Sequence, residues 1–354
     1  MSVSRHACAV VAFAMKTGNL IMRVFKILLM LVVLAVAAGV VGFRYWQAQL
    51  LSPLAIEKEQ LFEVPKGASL TRVVSELESR GIIEASWPYK VWSRLEPEAV
   101  NGLRAGEFRL TPGLNGRELV ALLSSDDVVS YTLTVPEGWT FAQMRTAMDA
   151  SPKLEHTTRD MSDEELMAAV DAEGEKPEGR FFPDTYRYHK GVSDLSLYKQ
   201  AYSRMSKTLE EVWAGRDDDL PITSAYEALI MASLIERETG APEERDEIAG
   251  VFKRRMERGM RLQTDPTVIY GLGKDYDGSL SRADLRKPTP WNTYVITGLP
   301  PTPIAMPGRA ALEAAVHPKE GDTYYFVAKG EGKHHFSRTL REHNNAVRRY
   351  ILNR

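Results

Sequence analysis

An uninterrupted apolar segment near the amino terminus constrains this chain more than any other feature. Residues 27–43 carry no charged side chain, and Lys26 and Arg44 frame them. With the two apolar residues before Lys26, the segment approaches the length of about 20 residues that crosses a bilayer as a helix. Because backbone amides find no partners in lipid, such a segment enters a membrane as a helix. We therefore predict a transmembrane helix over residues 24–43.

A cleaved signal peptide is the alternative interpretation of this segment. Signal-peptide cores are about 7 to 15 residues long and end at a small-x-small cleavage site. This segment is longer and leads into Arg44, Tyr45 and Trp46, so an anchor is favoured. Basic residues without acids precede it, and mixed charges follow it. The positive-inside rule then predicts that residues 1–23 stay in the cytoplasm and that the remainder is exported.

The composition of the chain is that of folded domains. Of its 354 residues, 44% are hydrophobic and 26% are charged, which predicts two or three compact units. A formal net charge of -2 gives no basic surface field, so nucleic acid is not expected as a partner. The single cysteine, Cys8, allows no intrachain disulfide, and the histidines lack metal-ligand spacing. No metal or other cofactor is predicted.

Strand and helix signals alternate in the segment that follows the anchor. After a predicted linker over residues 44–58, the order is strand, helix, helix, strand, helix. The signals lie at 61–64, at 69–80 before Gly81, at 86–95, at 107–110, and at an Asn115–Glu118 capping box. This order resembles the LysM module, a small peptidoglycan-binding fold. We therefore predict a LysM-like subdomain over residues 59–126.

A second turn motif repeats the plan of the first. VPEGWTF at residues 135–141 follows the pattern of VPKGASL at residues 64–70, with a strand, a turn and a helix cap in each. Either both motifs begin substrate-facing units, or the motif is simply favourable turn chemistry. The sequence leaves both interpretations open. Residues 151–178 are acidic and rich in turn formers, which predicts a mobile insertion.

Glu236 is the leading candidate for chemistry. Ser224 and Glu227 form a capping box ahead of residues 228–235, which are apolar on every side and predict a buried helix. Glu236 follows at the end of that helix, on the same face as Ser233. Burial and the negative end of the helix dipole would both raise the pKa of this carboxyl. A protonated carboxyl at neutral pH is the state that a general acid needs.

Position alone favours a simpler role for Glu236. An ion pair with a nearby arginine such as Arg237, Arg254 or Arg255 would also place a carboxylate there. Further along, Pro266 disfavours helical backbone at Asp265, so we predict a loop over residues 261–271.

Four segments together closely resemble the MltG (YceG-like) family of endolytic murein transglycosylases. They are ASLIERET from Ala232, RLQTDPTVIYGL from Arg261, SRADL from Ser281 and NTYVITGLPPTPIAMPG from Asn292, and the resemblance covers roughly residues 60–352. In that family the first glutamate of the ExET sequence is catalytic, and Glu236 occupies that position. The resemblance also implies substrate binding by Gln263, Asp265, Tyr270, Asn292, Tyr294 and Thr297.

The resemblance implies a lyase that cuts peptidoglycan between N-acetylmuramic acid and N-acetylglucosamine. Glu236 would first donate a proton and then, as a carboxylate, accept one from the muramyl C6 hydroxyl, which closes a 1,6-anhydro ring. One carboxylate then suffices where ordinary glycosidases need two. The substrate's N-acetyl group or Asp265 would stabilise the positive charge. The expected location is the bacterial inner (cytoplasmic) membrane, with the catalytic part in the periplasm and peptidoglycan synthases as partners that act on nascent strands.

The predicted fold class is α+β. It comprises the transmembrane helix, the LysM-like subdomain and a mixed, mainly helical catalytic domain over residues 127–354, which closes with a strand and a carboxy-terminal helix. Two functional alternatives remain. One is a hydrolase in which Asp265 directs water to the sugar, and the other is a non-catalytic glycan-binding scaffold.

Overall fold

A computed structural model describes residues 3–100 and 102–352 of the chain, and it mixes helices with small sheets. The chain divides into two compact units, Met1–Val129 and Ser130–Arg354. The first contains α1 Val3–Leu51, β1 Gln60–Val64, α2 Leu70–Ser79, α3 Trp87–Leu95, α4 Pro97–Val100, β2 Gly106–Leu110 and α5 Gly116–Leu123.

The second unit carries the remaining elements. They are β3 Ser130–Thr134, α6 Phe141–Asp149, β4 Leu154–Glu155, α7 Asp163–Ala169, β5 Thr185–His189, β6 Val192–Ser193, α8 Asp194–Ala214, α9 Ala225–Glu238, α10 Arg245–Glu257, α11 Asp265–Leu272, α12 Arg309–Val316, β7 Tyr325–Gly330, β8 Lys333–Ser337 and α13 Leu340–Tyr350. Short 3-10 turns lie at Pro242–Glu244, Gly273–Asp275 and Asp284–Arg286. The strand pairs β3–β5 and β7–β8 are antiparallel, and β4–β6 is parallel.

The amino-terminal helix is longer than the predicted membrane span. Its Met22–Leu51 portion is long and apolar enough to cross a membrane by length and composition. The helix continues through the first half of the predicted linker, so that prediction is wrong for residues 44–51. Trp46 and Leu50, one turn apart, are buried in the core of the first unit. Their burial against the small subdomain extends the helix beyond the apolar segment.

The small subdomain has the predicted order of elements. Strands β1 and β2 pair antiparallel, with Phe62 opposite Phe108, and both rings are fully buried. Asn115 and Glu118 form the predicted capping box at the start of α5. The short helix α4 is an addition that the sequence patterns did not indicate. The identity of the subdomain as a LysM-like module stays a prediction.

Residues 151–178 are folded into the core of the second unit, contrary to the predicted mobile insertion. This segment contains α7, which begins at a complete Ser162–Glu165 capping box. Leu166 and Met167 are fully buried in the same apolar cluster as Phe181. Three of the acidic residues that suggested mobility, Asp163, Glu164 and Glu165, lie in the first turn of α7, where negative charge is favourable.

The segment after Gln263 is also different from its prediction. Residues 265–272 form α11 rather than a loop, with Pro266 in the first helical turn. Proline is well tolerated there because the first amides of a helix have no intrahelical partner, and its fixed φ suits the helix. Proline disfavours helical backbone at the residue before it, and here that residue, Asp265, is the first of the helix.

Candidate active site

Helix α9 is the buried centre of the second unit. Residues 228–235 of this helix are all buried, and α9 packs against α8, α10, α11 and α12. Ser233 is its polar exception: Oγ donates to the Ile230 carbonyl at 2.7 Å and accepts from the Ile304 N–H at 3.1 Å. The helix therefore arrives at Glu236 on a rigid, fully packed base.

Glu236 lies between the end of one helix and the beginning of another. Its side chain is 6% exposed. Oε2 accepts a hydrogen bond of 3.0 Å from the N–H of Gly308, which is the N-cap residue of α12. Oε1 lies 3.4 Å from Nη2 of Arg245. The carboxyl group thus meets the negative end of α9 and the positive end of α12 together.

Arg245 connects Glu236 to a second carboxylate. Its Nη2 is 3.8 Å from Oε2 of Glu137, whose side chain is half exposed, whereas the side chain of Arg245 is 12% exposed. Nε of Arg245 is buried without a hydrogen-bond partner among the described residues. The site therefore combines a buried carboxyl, a shared guanidinium with donor capacity to spare, and a solvent-facing carboxylate.

The second VPxG turn brings Glu137 to this place. The N–H of Gly138 donates to the Met306 carbonyl at 2.9 Å, and the Met306 N–H donates to the Trp139 carbonyl at 2.8 Å. Gly138 adopts φ +78°, a left-handed conformation that favours glycine. The second copy of the VPxG motif therefore forms a turn and also lies at the candidate site.

Burial is the main influence on the pKa of Glu236. It raises the pKa of this carboxyl, and the neighbouring Glu137 acts in the same direction. The Gly308 N–H and Arg245 oppose them by stabilising the charged form. Because burial prevails, the pKa of Glu236 lies above its ordinary value, which is the direction that a proton donor requires.

None of the three arginines considered from the sequence pairs with Glu236 in the structure. Arg237 donates to the Gly138 carbonyl, Arg254 to the carbonyls of Lys319 and Thr323, and Arg255 to those of Tyr324, Arg261 and Leu262. Arg245, Glu137 and Gly308 were not singled out from the sequence. The VPEG repeat contains Glu137, but nothing in the local pattern linked Glu137, Arg245 or Gly308 to Glu236.

Three of the predicted substrate-binding residues come together, but around Glu238 rather than Glu236. Gln263, Asp265 and Tyr294 line a pocket of about 520 Å³ together with Glu238. The Tyr294 hydroxyl donates to Oδ1 of Asp265 at 2.6 Å, and the Thr264 hydroxyl donates to Glu238. The remaining lining residues are Arg255, Leu262, Tyr325, Phe326, Val327, Ala328, His334, Leu340, His343, Val347 and Ile351.

The other three predicted residues have different surroundings. Asn292 is fully buried; its amide donates to the carbonyls of Asp284 and Lys287 and accepts from the Tyr294 N–H. It therefore holds the loop instead of facing a ligand. The Tyr270 hydroxyl donates to the buried Glu178 at 3.1 Å. Thr297 is exposed on the surface.

One cluster in the described chain has carboxylate and imidazole groups close enough to share a cation: Asp149, His156 and Asp194. The Asp194 carboxylate already accepts hydrogen bonds from the backbone N–H and hydroxyl groups of Thr157 and Thr158. These bonds give it a structural role at the start of α8.

This chain is similar to YceG-like proteins and to endolytic murein transglycosylases. Residues 62–349 match the model of the YceG-like family. The endolytic murein transglycosylase of Bacillus subtilis (strain 168) is 31% identical over an alignment of 305 residues, and the match covers 81% of this chain and 84% of that protein. The endolytic murein transglycosylase of Streptococcus pneumoniae (strain D39) is 26% identical; the match takes in 89% of this chain but spans only 63% of that protein's length.

A solved structure shows the same fold. The crystal structure of a yceG-like protein from Listeria monocytogenes superposes with a TM-score of 0.54 at 30% identity, and the match covers 82% of this chain and 99% of that one.

Proposed function

Since the chain belongs to the YceG-like family, we propose that it is an endolytic murein transglycosylase that cuts peptidoglycan glycan strands. Two relatives that bear this name match more than four fifths of the chain. The observation that carries the proposal for this chain is the Glu236 site: a buried carboxyl with a raised pKa, fixed by Gly308 and Arg245 at the end of a packed helix.

In the proposed mechanism Glu236 acts twice. Protonated Glu236 gives its proton to the glycosidic oxygen between N-acetylmuramic acid and N-acetylglucosamine as the bond from C1 to that oxygen breaks. The resulting carboxylate takes the proton of the muramyl C6 hydroxyl, whose oxygen attacks C1. The products are a 1,6-anhydromuramyl end and a free hydroxyl on the other fragment, and Glu236 is protonated again.

The neighbours of Glu236 suit both of these states. Burial favours the neutral acid before the cut, whereas the Gly308 N–H and Arg245 stabilise the carboxylate that forms during it. Glu137 lies beside this pair with an exposed carboxylate. We assign to Glu137 the role of balancing positive charge at C1, alongside the substrate's N-acetyl group. The sequence suggested Asp265 for that role, but Asp265 is engaged with Tyr294 in the pocket that Glu238 lines.

The cellular setting is part of the proposal. The Met22–Leu51 helix would anchor the chain in the inner membrane, with the catalytic unit in the periplasm, where new glycan strands are made. An enzyme in that place would cut nascent strands and so end their elongation. A partnership with peptidoglycan synthases is expected from the family resemblance.

Digestion of purified peptidoglycan tests the proposal. The full chain in detergent should release internal fragments with anhydro ends, identified by mass spectrometry. Glu236→Gln should lower this rate by about 10²- to 10⁴-fold, the usual contribution of a proton-transferring side chain. Glu243→Gln is the matched control, since that exposed carboxylate pairs with Lys333 on the surface. Reducing ends would support the hydrolase, and full activity of Glu236→Gln would assign the proton donor to another residue. Release of no fragments by the unmodified chain would support the scaffold.

A further inference from the structure

The pocket that Glu238 lines has a mixed wall of aromatic and polar groups. Tyr325 and Phe326 of β7 form one side, and Tyr294 and Gln263 form another. The Tyr325 ring stacks on the His343 ring with centroids 5.4 Å apart. Aromatic walls with a few directed polar groups are typical of sites for small organic ligands.

Two polar groups of the wall have capacity for a ligand. Nδ1 of His343 is buried and has no hydrogen-bond partner among the described residues, and burial lowers the pKa of this imidazole. Burial raises the pKa of Glu238 to about 7, and its one described hydrogen bond comes from the Thr264 hydroxyl. Near neutral pH the imidazole is therefore largely uncharged, and about half of the Glu238 carboxyl groups are protonated. Both side chains can then bond to neutral hydroxyl or amide groups.

Gln263 adds a third polar group through an unusual backbone conformation. Its φ is +51°, in the left-handed region that residues other than glycine seldom adopt. Its N–H donates to the Thr293 carbonyl at 3.2 Å, which holds the residue in this conformation. Such strain persists where surrounding structure enforces it and is frequent at ligand sites. Here it keeps an exposed amide side chain at the wall of the pocket.

The charges of the pocket disfavour an anionic ligand. Among the described residues that line it, Arg255 is the only one with a permanent positive charge. Its Nε and Nη1 atoms donate to the carbonyls of Tyr324, Arg261 and Leu262. The carboxylate of Asp265 also faces the pocket and would repel a ligand carboxylate.

The pocket lies on the other side of α9 from the Glu236 carboxyl. Residues two apart on a helix differ by about 3 Å along the axis and by about 200° around it. Glu236 and Glu238 therefore face nearly opposite directions at the last turn of α9. A long polymer that contacts both must cross the carboxy-terminal end of the helix, near Thr239.

We propose that this pocket binds an uncharged N-acetylhexosamine unit of the glycan strand, at a distance from the bond being cut, and that it excludes the acidic peptide stem. This inference rests on the proposed function, because it assigns the pocket to the same polymer. A ring with hydroxyl and acetamido groups matches the stacked aromatic wall, the free imidazole nitrogen and the Gln263 amide. Contact on both sides of α9 would require several sugars on each strand, as an endolytic cut does.

The test measures binding apart from catalysis. Full-length Glu236→Gln protein in detergent is titrated with the N-acetylglucosamine tetramer and, separately, with a free stem tetrapeptide, by calorimetry. Leu340→Trp should fill the pocket mouth and weaken tetramer binding at least tenfold. Leu340 is 55% exposed, so this change leaves the core intact. Leu95→Trp is its control, because Leu95 is 63% exposed in the other unit.

A second matched pair removes an aromatic wall. Tyr325→Leu should weaken binding at least tenfold, whereas Tyr324→Leu should not, since Tyr324 packs under Arg258 and does not line the pocket. The proposal is overturned if the parent fails to bind the tetramer, if the pocket variants bind it unchanged, or if the stem tetrapeptide binds more tightly. Loss of tetramer binding in Leu340→Trp supports the pocket even if the enzyme with Glu236 intact releases no anhydro ends, a result that would remove only the proposed function.

Discussion

The Nη2 atom of Arg245 lies 3.4 Å from Oε1 of Glu236, a separation that makes a weak charge-assisted contact rather than a tight bidentate salt bridge. A tight pair would hold Glu236 permanently ionised. The observed contact leaves burial as the main influence, so that the pKa of Glu236 is raised. Arg245 is therefore placed to stabilise the carboxylate when it forms without preventing protonation beforehand.

Two substitutions should move the pH profile of kcat/KM in opposite directions. A general acid loses activity as pH rises through its pKa. Arg245→Ala removes a cation, raises the pKa of Glu236 further and should shift the alkaline limb to higher pH. Glu137→Gln removes a negative neighbour and should shift it to lower pH. Each shift should be about one pH unit for charges at this range. Shifts of the same sign would contradict the assignment of Glu236 as the acid.

Gly308→Ala should damage the site without straining the backbone. Gly308 has φ -77°, which alanine adopts readily, but an added methyl group would overlap Oε1 of Glu137. Glu137 must then move, and we expect at least a tenfold loss of kcat with an unfolding free energy lowered by about 1 to 3 kcal/mol. The control is Gly215→Ala, where the new methyl group would make ordinary contacts of 3.7 Å or longer. Equal activities of the two variants would refute this account.

Asn292 should behave as a structural residue. Asn292→Ala removes the partner of two carbonyls and one N–H in partly buried hydrogen bonds, so we expect a loss of about 2 kcal/mol in unfolding free energy. Thermal unfolding followed by fluorescence would measure it. Thr297→Ala, at an exposed position, should change stability by less than about 0.5 kcal/mol. A stable Asn292→Ala protein with a raised KM would instead support direct substrate binding.

Glu178 should make the protein less stable as pH rises. Burial raises the pKa of this carboxyl to about 7 from an ordinary value of 4.5. The folded state then holds its proton where the unfolded state has released it, so stability falls between about pH 4.5 and 7 and levels off above that range. The contribution is on the order of 3 kcal/mol at most. Denaturant unfolding at pH 5 and pH 8 should show a smaller difference for Glu178→Gln than for the parent.

The sequence predicted many local features because they depend on neighbours in the chain. The capping box of Asn115 and Glu118, the stop at Gly81 and the apolar helix before Glu236 all follow from side chains a few residues apart. Predictions failed where a signal had two possible outcomes. Pro266 lies in the first turn of a helix instead of in a loop. Residues 151–178 contain the capped and packed helix α7 instead of forming a mobile insertion.

In the candidate site, too, local features could be predicted from the sequence, whereas contacts between distant segments could not. Sequence alone determined that the helix of Glu236 is buried, because its residues are apolar on every side, and family motifs singled out the carboxyl at its end. Only the tertiary structure decided the partners of that carboxyl. Glu137, Arg245 and Gly308 come from three separate segments, and their meeting depends on the packing of α9 against α10 and α12. Glu238, two residues after Glu236, faces the opposite side of α9. Gln263, Asp265 and Tyr294 line the pocket on the Glu238 side and are therefore separated from Glu236.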